Sequence, residues 1–437
     1  MEIPLFSVPL SGWDLATWRI GESDPSLRST VVGIIELEGH PQLSVIRERA
    51  LKATQHHPVL RCHVEVVEGV AHLVELATLD FAKLVVEHFD VTDISAFAKD
   101  CTNSDFELNL PLWRLHIVRK SQRTFVVAAL HHSISDGNGA LALAGFLFDE
   151  NHGIESQKVE FGNFENVEQQ ADKTKRALQP IIERALRDPV GLIGDINSVV
   201  SSLSRLLQIP QISSLRSTPA RGANFEFNFY QLEKSSVRSL IKGKAVTQHD
   251  ALVAFVLKAL WNYHNRVGTP LSAAHINIPV AMNVEDAASN RMIVARLNCS
   301  LDDANFDQLM QRSHERLRQW RAEPGLALAG QLVDASRLVP IDLLANAVKQ
   351  ADATISTLRG VPKLGHIDSH VASAIWPLVA PIGAAVSITS VGIGQSIYLC
   401  ITWDVLAIDD QTIWKQVLTD TWIEIFGTAI ASHEFAG

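Results

Sequence analysis

Leu130-His131-His132-Ser133-Ile134-Ser135-Asp136-Gly137 is the stretch on which the reading of this sequence turns. It follows Thr124-Phe125-Val126-Val127-Ala128-Ala129, an apolar run of the kind that forms a strand buried on both faces. Gly137-Asn138-Gly139 comes next, and the apolar segment 139–148 reads as a helix. An imidazole at the end of a strand sits on a rigid mount and has a pKa near neutrality, which suits a general base. His132 is that candidate. Asp136 lies four residues on, but the serines and glycines around it spell a loop, so the two side chains need not face each other. Asp136 is expected to brace the loop, and Gly137 to let a substrate approach the backbone closely. On residue types alone, two histidines after a strand are more often structural than catalytic.

Other chemistries find little footing in these residues. His131, His132 and Asp136 have no HExxH or cysteine-pair companions, so no metal is expected. The segment 136–139 lacks the alternating acidic ligands of a calcium loop. The chain contains no GxSxG elbow, Walker A loop or GxGxxG fingerprint.

Outward from the motif, strand-like and helix-like segments alternate. Strands are expected at 30–37, 59–67, 71–76, 113–119 and 124–131, with helices at 41–55, 91–100 and 139–148. The segment 151–222 is polar, then amphipathic, and is broken by Pro180, Pro189, Pro210 and Pro219; it reads as a helical linker. Beyond it, strands are expected at 225–232, 275–282, 292–301, 354–358, 385–391 and 396–403, and helices at 235–241, 248–264, 305–321 and 410–425. The expected organisation is therefore α+β: one half at 1–150, a linker at 151–222, and a second half at 223–437.

Composition limits the partners. The 437 residues are 47% hydrophobic and 20% charged, enough for a sizeable core. A net charge of −10 and the absence of a Lys/Arg run speak against nucleic acid. Cys62, Cys101, Cys299 and Cys400 form no CxxC pair and read as reduced, buried thiols. The N-terminal residues lack the basic and apolar regions of a secretory signal. The longest apolar run, 372–386, is short for a membrane span and holds Pro377 and Pro381. A cytoplasmic, soluble protein is expected, with peripheral membrane contact left open.

His131-His132-Ser133-Ile134-Ser135-Asp136-Gly137 resembles the HHxxxDG motif of the acyltransferase superfamily built on the chloramphenicol-acetyltransferase-like fold, which includes condensation domains, BAHD enzymes and polyketide-associated acyltransferases. Pro111-Leu112-Trp113 is similar to the PLW motif of its wax ester synthase/diacylglycerol acyltransferase branch. Thr247-Gln248-His249-Asp250 resembles the helix start that carries Asn-Asp in that branch, with His249 in place of the asparagine. Asn290-Arg291 is similar to a later Asn-Arg pair, and Ile401-Thr402-Trp403-Asp404 falls where the superfamily carries a DFG-like motif, without its glycine.

The resemblance implies two mixed-sheet lobes flanked by helices, with a tunnel between them. It implies acyl transfer from an acyl-CoA or acyl-carrier-protein thioester to an acceptor hydroxyl, in lipid or specialised-metabolite biosynthesis. No bound cofactor is implied; the thioester is a co-substrate. His132 would be the base, and Gly137 would line the thioester's approach. Asp136 would be structural, with Arg291 or Arg296 as its partner, and His131 and Trp113 would pack beside it. Trp403 and Asp404 would line the tunnel or pack the lobes. Lys242 and Lys244 form a basic turn that could meet a CoA phosphate or simply be solvated. Two alternatives stay open: amide formation by a stand-alone condensation-type enzyme, and a non-catalytic binding module.

Overall fold

The structure, a computed structural model, describes residues 7–10, 12–24, 27, 29–148, 224–281, 292–302, 305–323, 340–342, 351–361, 364–427, 432, 433 and 435. The expected linker 151–222 lies outside the described residues.

The strands run in chain order as β1 (Ser7–Pro9), β2 (Thr30–Glu38), β3 (Cys62–Val67), β4 (Val70–Glu75), β5 (Val85–His88), β6 (Trp113–Lys120), β7 (Arg123–His131), β8 (Phe225–Glu233), β9 (Ala273–Ala281), β10 (Met292–Ser300), β11 (Ala351–Val361), β12 (His366–Ile367), β13 (His370–Val379), β14 (Ala384–Ile393) and β15 (Ser396–Asp404). The helices are α1 (Gly12–Ser23), α2 (Leu43–His56), α3 (Phe81–Leu84), α4 (Ile94–Asn103), α5 (Gly137–Phe148), α6 (Lys234–Ile241), α7 (Gln248–Arg266), α8 (Phe306–Arg321) and α9 (Gln411–Phe426).

Two six-stranded sheets form the framework, in the orders β12-β13-β2-β7-β6-β5 and β10-β9-β11-β14-β15-β8, and β1-β4-β3 make a smaller third sheet. The α+β expectation holds, and each large sheet anchors a lobe. The chain halves do not map onto the lobes, however. β12 and β13 come from the second half and join the first lobe's sheet, where β13 pairs antiparallel with β2. Residues 372–386, whose length ruled out a membrane span, form most of β13, a turn, and the start of β14. Their apolar content reflects burial at the seam between the lobes.

Alternation of side chains sorts the second sheet's two faces. Ile276, Ala353, Val386, Ile388, Ile401 and Trp403 belong to the core beneath α7, α8 and α9. Phe229 of β8, Val391 of β14 and Cys400 of β15 face the other way, into the core shared with the first lobe. Side-chain bonds cross this seam: Thr402 Oγ1 donates to the Val379 carbonyl at 3.0 Å, and Tyr398 Oη donates to that of Ser373 at 3.3 Å.

The helix ends follow from local sequence. At α7 the Thr247 hydroxyl accepts from the Asp250 amide while the Asp250 carboxylate accepts from the Thr247 amide, a reciprocal cap worth about 1 kcal/mol. Asn305 caps α8 and Asp410 caps α9. Helix α9 stops at Gly427, whose φ of 70° is left-handed and suits a residue without a Cβ. All four cysteines are unpaired thiols and buried.

Candidate active site

β7 occupies the middle of the first sheet, hydrogen-bonded to β2 on one side and β6 on the other. Beyond its last residue the chain is still held. The His131 amide donates to the Leu112 carbonyl at 2.9 Å, and the His132 amide donates to the Ser29 carbonyl at 2.8 Å. Both histidines are therefore fixed at the backbone, one of them by the Pro111-Leu112-Trp113 segment.

Their side chains have different surroundings. His131 is buried, with its ring 5.5 Å from Trp18 and 6.0 Å from Phe106. The Ser133 amide donates to His131 Nδ1 at 3.1 Å, so the neutral ring carries its hydrogen on Nε2. His132 is half-buried. It is the first residue past β7, two beyond Leu130.

Asp136 holds the turn by capping α5. Its Oδ1 accepts from the Gly139 amide at 2.8 Å and its carbonyl from the Ala140 amide at 3.0 Å. The bracing expected from sequence is thus supplied by a helix cap. Among the described residues Asp136 makes no ion pair: Arg291 lies outside them, and Arg296 stands on β10, unbonded to it.

Gly137 begins α5 where β11 of the second lobe comes closest. A Cβ placed on Gly137 would lie 2.3 Å from Leu358 Cδ2 and 3.3 Å from Leu358 Cδ1, so a side chain here requires Leu358 to move. An apolar cavity opens beside this contact, under α5. It is lined by Gly137, Ala140 and Leu141 of α5, Leu130 of β7, Leu358 of β11 and Pro377 of β13. Neither Leu358 nor Pro377 carried any sequence signal of a site, because each reaches the cavity from an element distant in the chain.

Trp113 is buried, and its Nε1 donates to the Leu60 carbonyl at 2.8 Å, so it is a strut of the first lobe's core. Of the two places expected for Trp403, tunnel wall or lobe packing, the structure gives packing. Trp403 is fully buried on the helix side of the second sheet, 6.5 Å from Trp414, and its Nε1 donates to Gln411 Oε1 at 2.5 Å. Its position in β15 decides this, since it shares a face with Ile401. Asp404 is also fully buried, and its Oδ1 accepts from the Leu406 amide at 2.7 Å in the turn after β15. Both residues pack and shape the second lobe.

The motif around His249 is also structural in part. Asp250 Oδ2, besides its capping role, lies 2.9 Å from His314 Nδ1. His249 Nδ1 lies 2.9 Å from Thr357 Oγ1, and burial holds its pKa below the usual histidine value. Lys244 pairs with Asp307 at 2.7 Å. Among the described residues no three His, Cys, Asp or Glu side chains converge as a metal site, and no helix is long and apolar enough to cross a membrane.

Comparison with known proteins agrees with this arrangement. Residues 90–229 match the family model of the wax ester synthase/diacylglycerol acyltransferase catalytic domain. Proteins from two strains of Mycobacterium tuberculosis, described as candidate diacylglycerol O-acyltransferases, are 22% identical, with 98% of this chain and 94% of theirs covered. The wax ester synthase/diacylglycerol acyltransferase of Marinobacter aquaeolei VT8 superposes with a TM-score of 0.60 at 14% identity, covering 96% of this chain and 100% of that one. The starter condensation domain of rhizomide synthetase, solved as a mutant in complex with C8-CoA, gives a TM-score of 0.65 at 12% identity, covering 99% of this chain and 97% of that one. The condensation domain of the monacolin K polyketide synthase gives 0.64 at 12%, covering 97% of each chain. The motif at the end of β7, the two-lobed fold and these matches together mark the chain as an acyltransferase, similar over residues 90–229 to the wax ester synthase/diacylglycerol acyltransferase catalytic domain.

Proposed function

We propose that the protein moves an acyl group from an acyl-CoA or acyl-carrier-protein thioester to an acceptor hydroxyl, with His132 as general base. The observation that carries this reading is the place of His132 in the turn between Leu130 of β7 and Gly137 of α5, both of which line the apolar cavity. The half-buried imidazole stands two residues beyond Leu130, which lines that cavity, and Gly137 stands at the contact between α5 and the second lobe. The cavity's walls offer aliphatic contact and few polar groups, which suits an acyl chain, and its volume of about 40 Å³ means that it must widen to admit one. His132 Nδ1 is buried, so the base role falls to Nε2.

In the reaction, Nε2 takes the acceptor's proton as the oxygen attacks the thioester carbonyl. A tetrahedral oxyanion forms and collapses, the C–S bond breaks, and the thiolate leaves with the proton from the imidazolium. The products are an ester and a free thiol, and His132 returns to its neutral form. No acyl-enzyme and no metal enter this scheme. Asp136 and His131 hold the loop, and Gly137 keeps the approach open.

Thiol release from a panel of acyl-CoAs, with alcohols and amines as acceptors, tests the proposal. Acceptor-dependent release should fall at least about a hundredfold in His132→Ala, the usual scale for a lost general base. Full activity in that variant would remove His132 from the mechanism. Release with amines alone would replace the ester reading by amide formation.

A further inference from the structure

Arg296 lies on β10, the edge strand of the second sheet. It is half-buried, and among the described residues it makes neither an ion pair nor a hydrogen bond. Burial holds its guanidinium below the usual arginine pKa. A partly desolvated charge without a counter-charge is costly, so such residues ordinarily mark a place where an anion binds.

The register shows what surrounds it. Arg296 pairs with Asn277 of β9, Asn277 with Thr354 of β11, Thr354 with Ser387 of β14, and Ser387 with Thr402 of β15. Residues paired in register share a face, so these five polar side chains form one stripe across the sheet. The face is the one turned away from α7, α8 and α9, because the neighbours Ala295, Ile276, Ala353, Val386 and Ile401 all belong to the helix-side core. The stripe is buried where Thr402 reaches the first lobe and half-buried at Thr354, Asn277 and Arg296. Leu358, the residue against Gly137, shares the parity of Thr354 on β11 and packs toward the first lobe.

We propose that Arg296, with Asn277 and Thr354 beside it, is a phosphate-binding site for the coenzyme A carrier of the acyl donor. The inference rests on the acyl-thioester reading above and adds to it the place where the carrier's charged end is held. Chemistry favours a phosphate here. A guanidinium fork flanked by a carboxamide and a hydroxyl offers several donors to one oxyanion. Distance fits as well. Strands about 4.8 Å apart put Arg296 roughly 10 Å from β11, and four residues of strand put Thr354 roughly 13 Å from Leu358. The diagonal, roughly 16 Å, is a span that an extended phosphopantetheine arm covers.

Calorimetric titration of the full chain with coenzyme A and with pantetheine, which lacks the phosphates, tests this without requiring turnover. Wild type should bind coenzyme A more tightly than pantetheine. Arg296→Met should weaken coenzyme A at least about tenfold, the scale of one lost charge-assisted contact, and leave pantetheine unchanged. Arg296→Lys, which keeps the charge but not the fork, should fall between them. Thermal unfolding of Arg296→Met separates binding from structure: removing a charge that has no partner among the described residues should leave the melting temperature unchanged or raise it. Unchanged coenzyme A affinity in Arg296→Met would overturn the site, and so would a lowered melting temperature with equal losses for both ligands. A rise in acceptor KM with coenzyme A affinity intact would overturn the assignment to the donor. If no acyl-CoA is turned over at all, the acyl-transfer reading fails, while the titrations still report on Arg296.

Discussion

Substituting alanine at Gly137 tests how the two lobes meet at the site. The added Cβ would lie 2.3 Å from Leu358 Cδ2, against about 3.5–4.0 Å for an ordinary carbon contact. Leu358 must therefore leave its rotamer, or α5 must back away from β11. Overpacking of this kind costs about 1–3 kcal/mol, and the better helix propensity of alanine offsets up to about 1 kcal/mol of it. The net expectation for Gly137→Ala is a loss of about 1 kcal/mol in unfolding free energy. Its effect on activity should be larger, because the displaced Leu358 side chain lines the cavity proposed for the acyl chain. The decisive comparison is the double mutant. Leu358→Ala removes the atom that clashes, so Gly137→Ala should cost almost nothing in its presence, giving a coupling of about 1–2 kcal/mol. Urea unfolding gives the stability term, and thiol release from acyl-CoAs of increasing length gives the activity term. Leu358→Ala alone should favour bulkier acyl groups. The reasoning is refuted if the two substitutions add within about 0.5 kcal/mol and neither changes the preferred chain length.

Two further outcomes follow from the geometry. Asp136→Ala removes the cap on α5 and should lower unfolding free energy by about 1 kcal/mol, while Asp136→Asn should retain most of the cap; equal losses in denaturant unfolding would contradict a capping role. His57 and His116 are buried enough to bring each pKa down to about 4, chiefly by desolvation, so the unfolded chain binds their protons first as pH falls below about 6.5. Stability should accordingly decline between about pH 6.5 and about 4, and His116→Asn should flatten that decline; an unchanged slope in urea titrations at several pH values would mean that His116 stays solvated.

Much of this was legible in the sequence because it is written in local pattern. Residues 125–130 are all apolar, and they lie in a strand buried between two others. Thr247 to Asp250 has the form of a capping box, and it makes one. The motif itself showed where a base and a brace could stand. What it could not show depends on contacts between distant segments. β13 resembles any apolar strand, and nothing local says that it crosses to the first lobe to pair with β2. The local pattern leaves Trp403 between tunnel lining and lobe packing, and strand parity places it in the helix-side core. The resemblance offers Asp136 a distant arginine, and among the described residues its carboxylate meets the amide of Gly139.

Position at the end of β7 explains why two adjacent histidines should have separate roles. His131 is the last residue of β7 and His132 the first of the turn after it, so the two side chains need not share a pocket. Ala128 and Leu130 point to the cavity under α5, and His132 stands two residues beyond Leu130. His131 falls on the opposite side, where Trp18 and Phe106 enclose it and Ser133 fixes its tautomer. Register is the property that fits His132 for the proposed role of base, and the Ser29 and Leu112 carbonyls hold that register just past the end of the strand. A substitution that loosened either hold would reach His132 without touching its ring. The Leu112 carbonyl belongs to the Pro111-Leu112-Trp113 segment, which Trp113 ties to Leu60 through its indole nitrogen. On the proposed mechanism that segment acts on the chemistry through the backbone at His131, and the strand carries the constraint one residue further, to the imidazole assigned to the acceptor's proton.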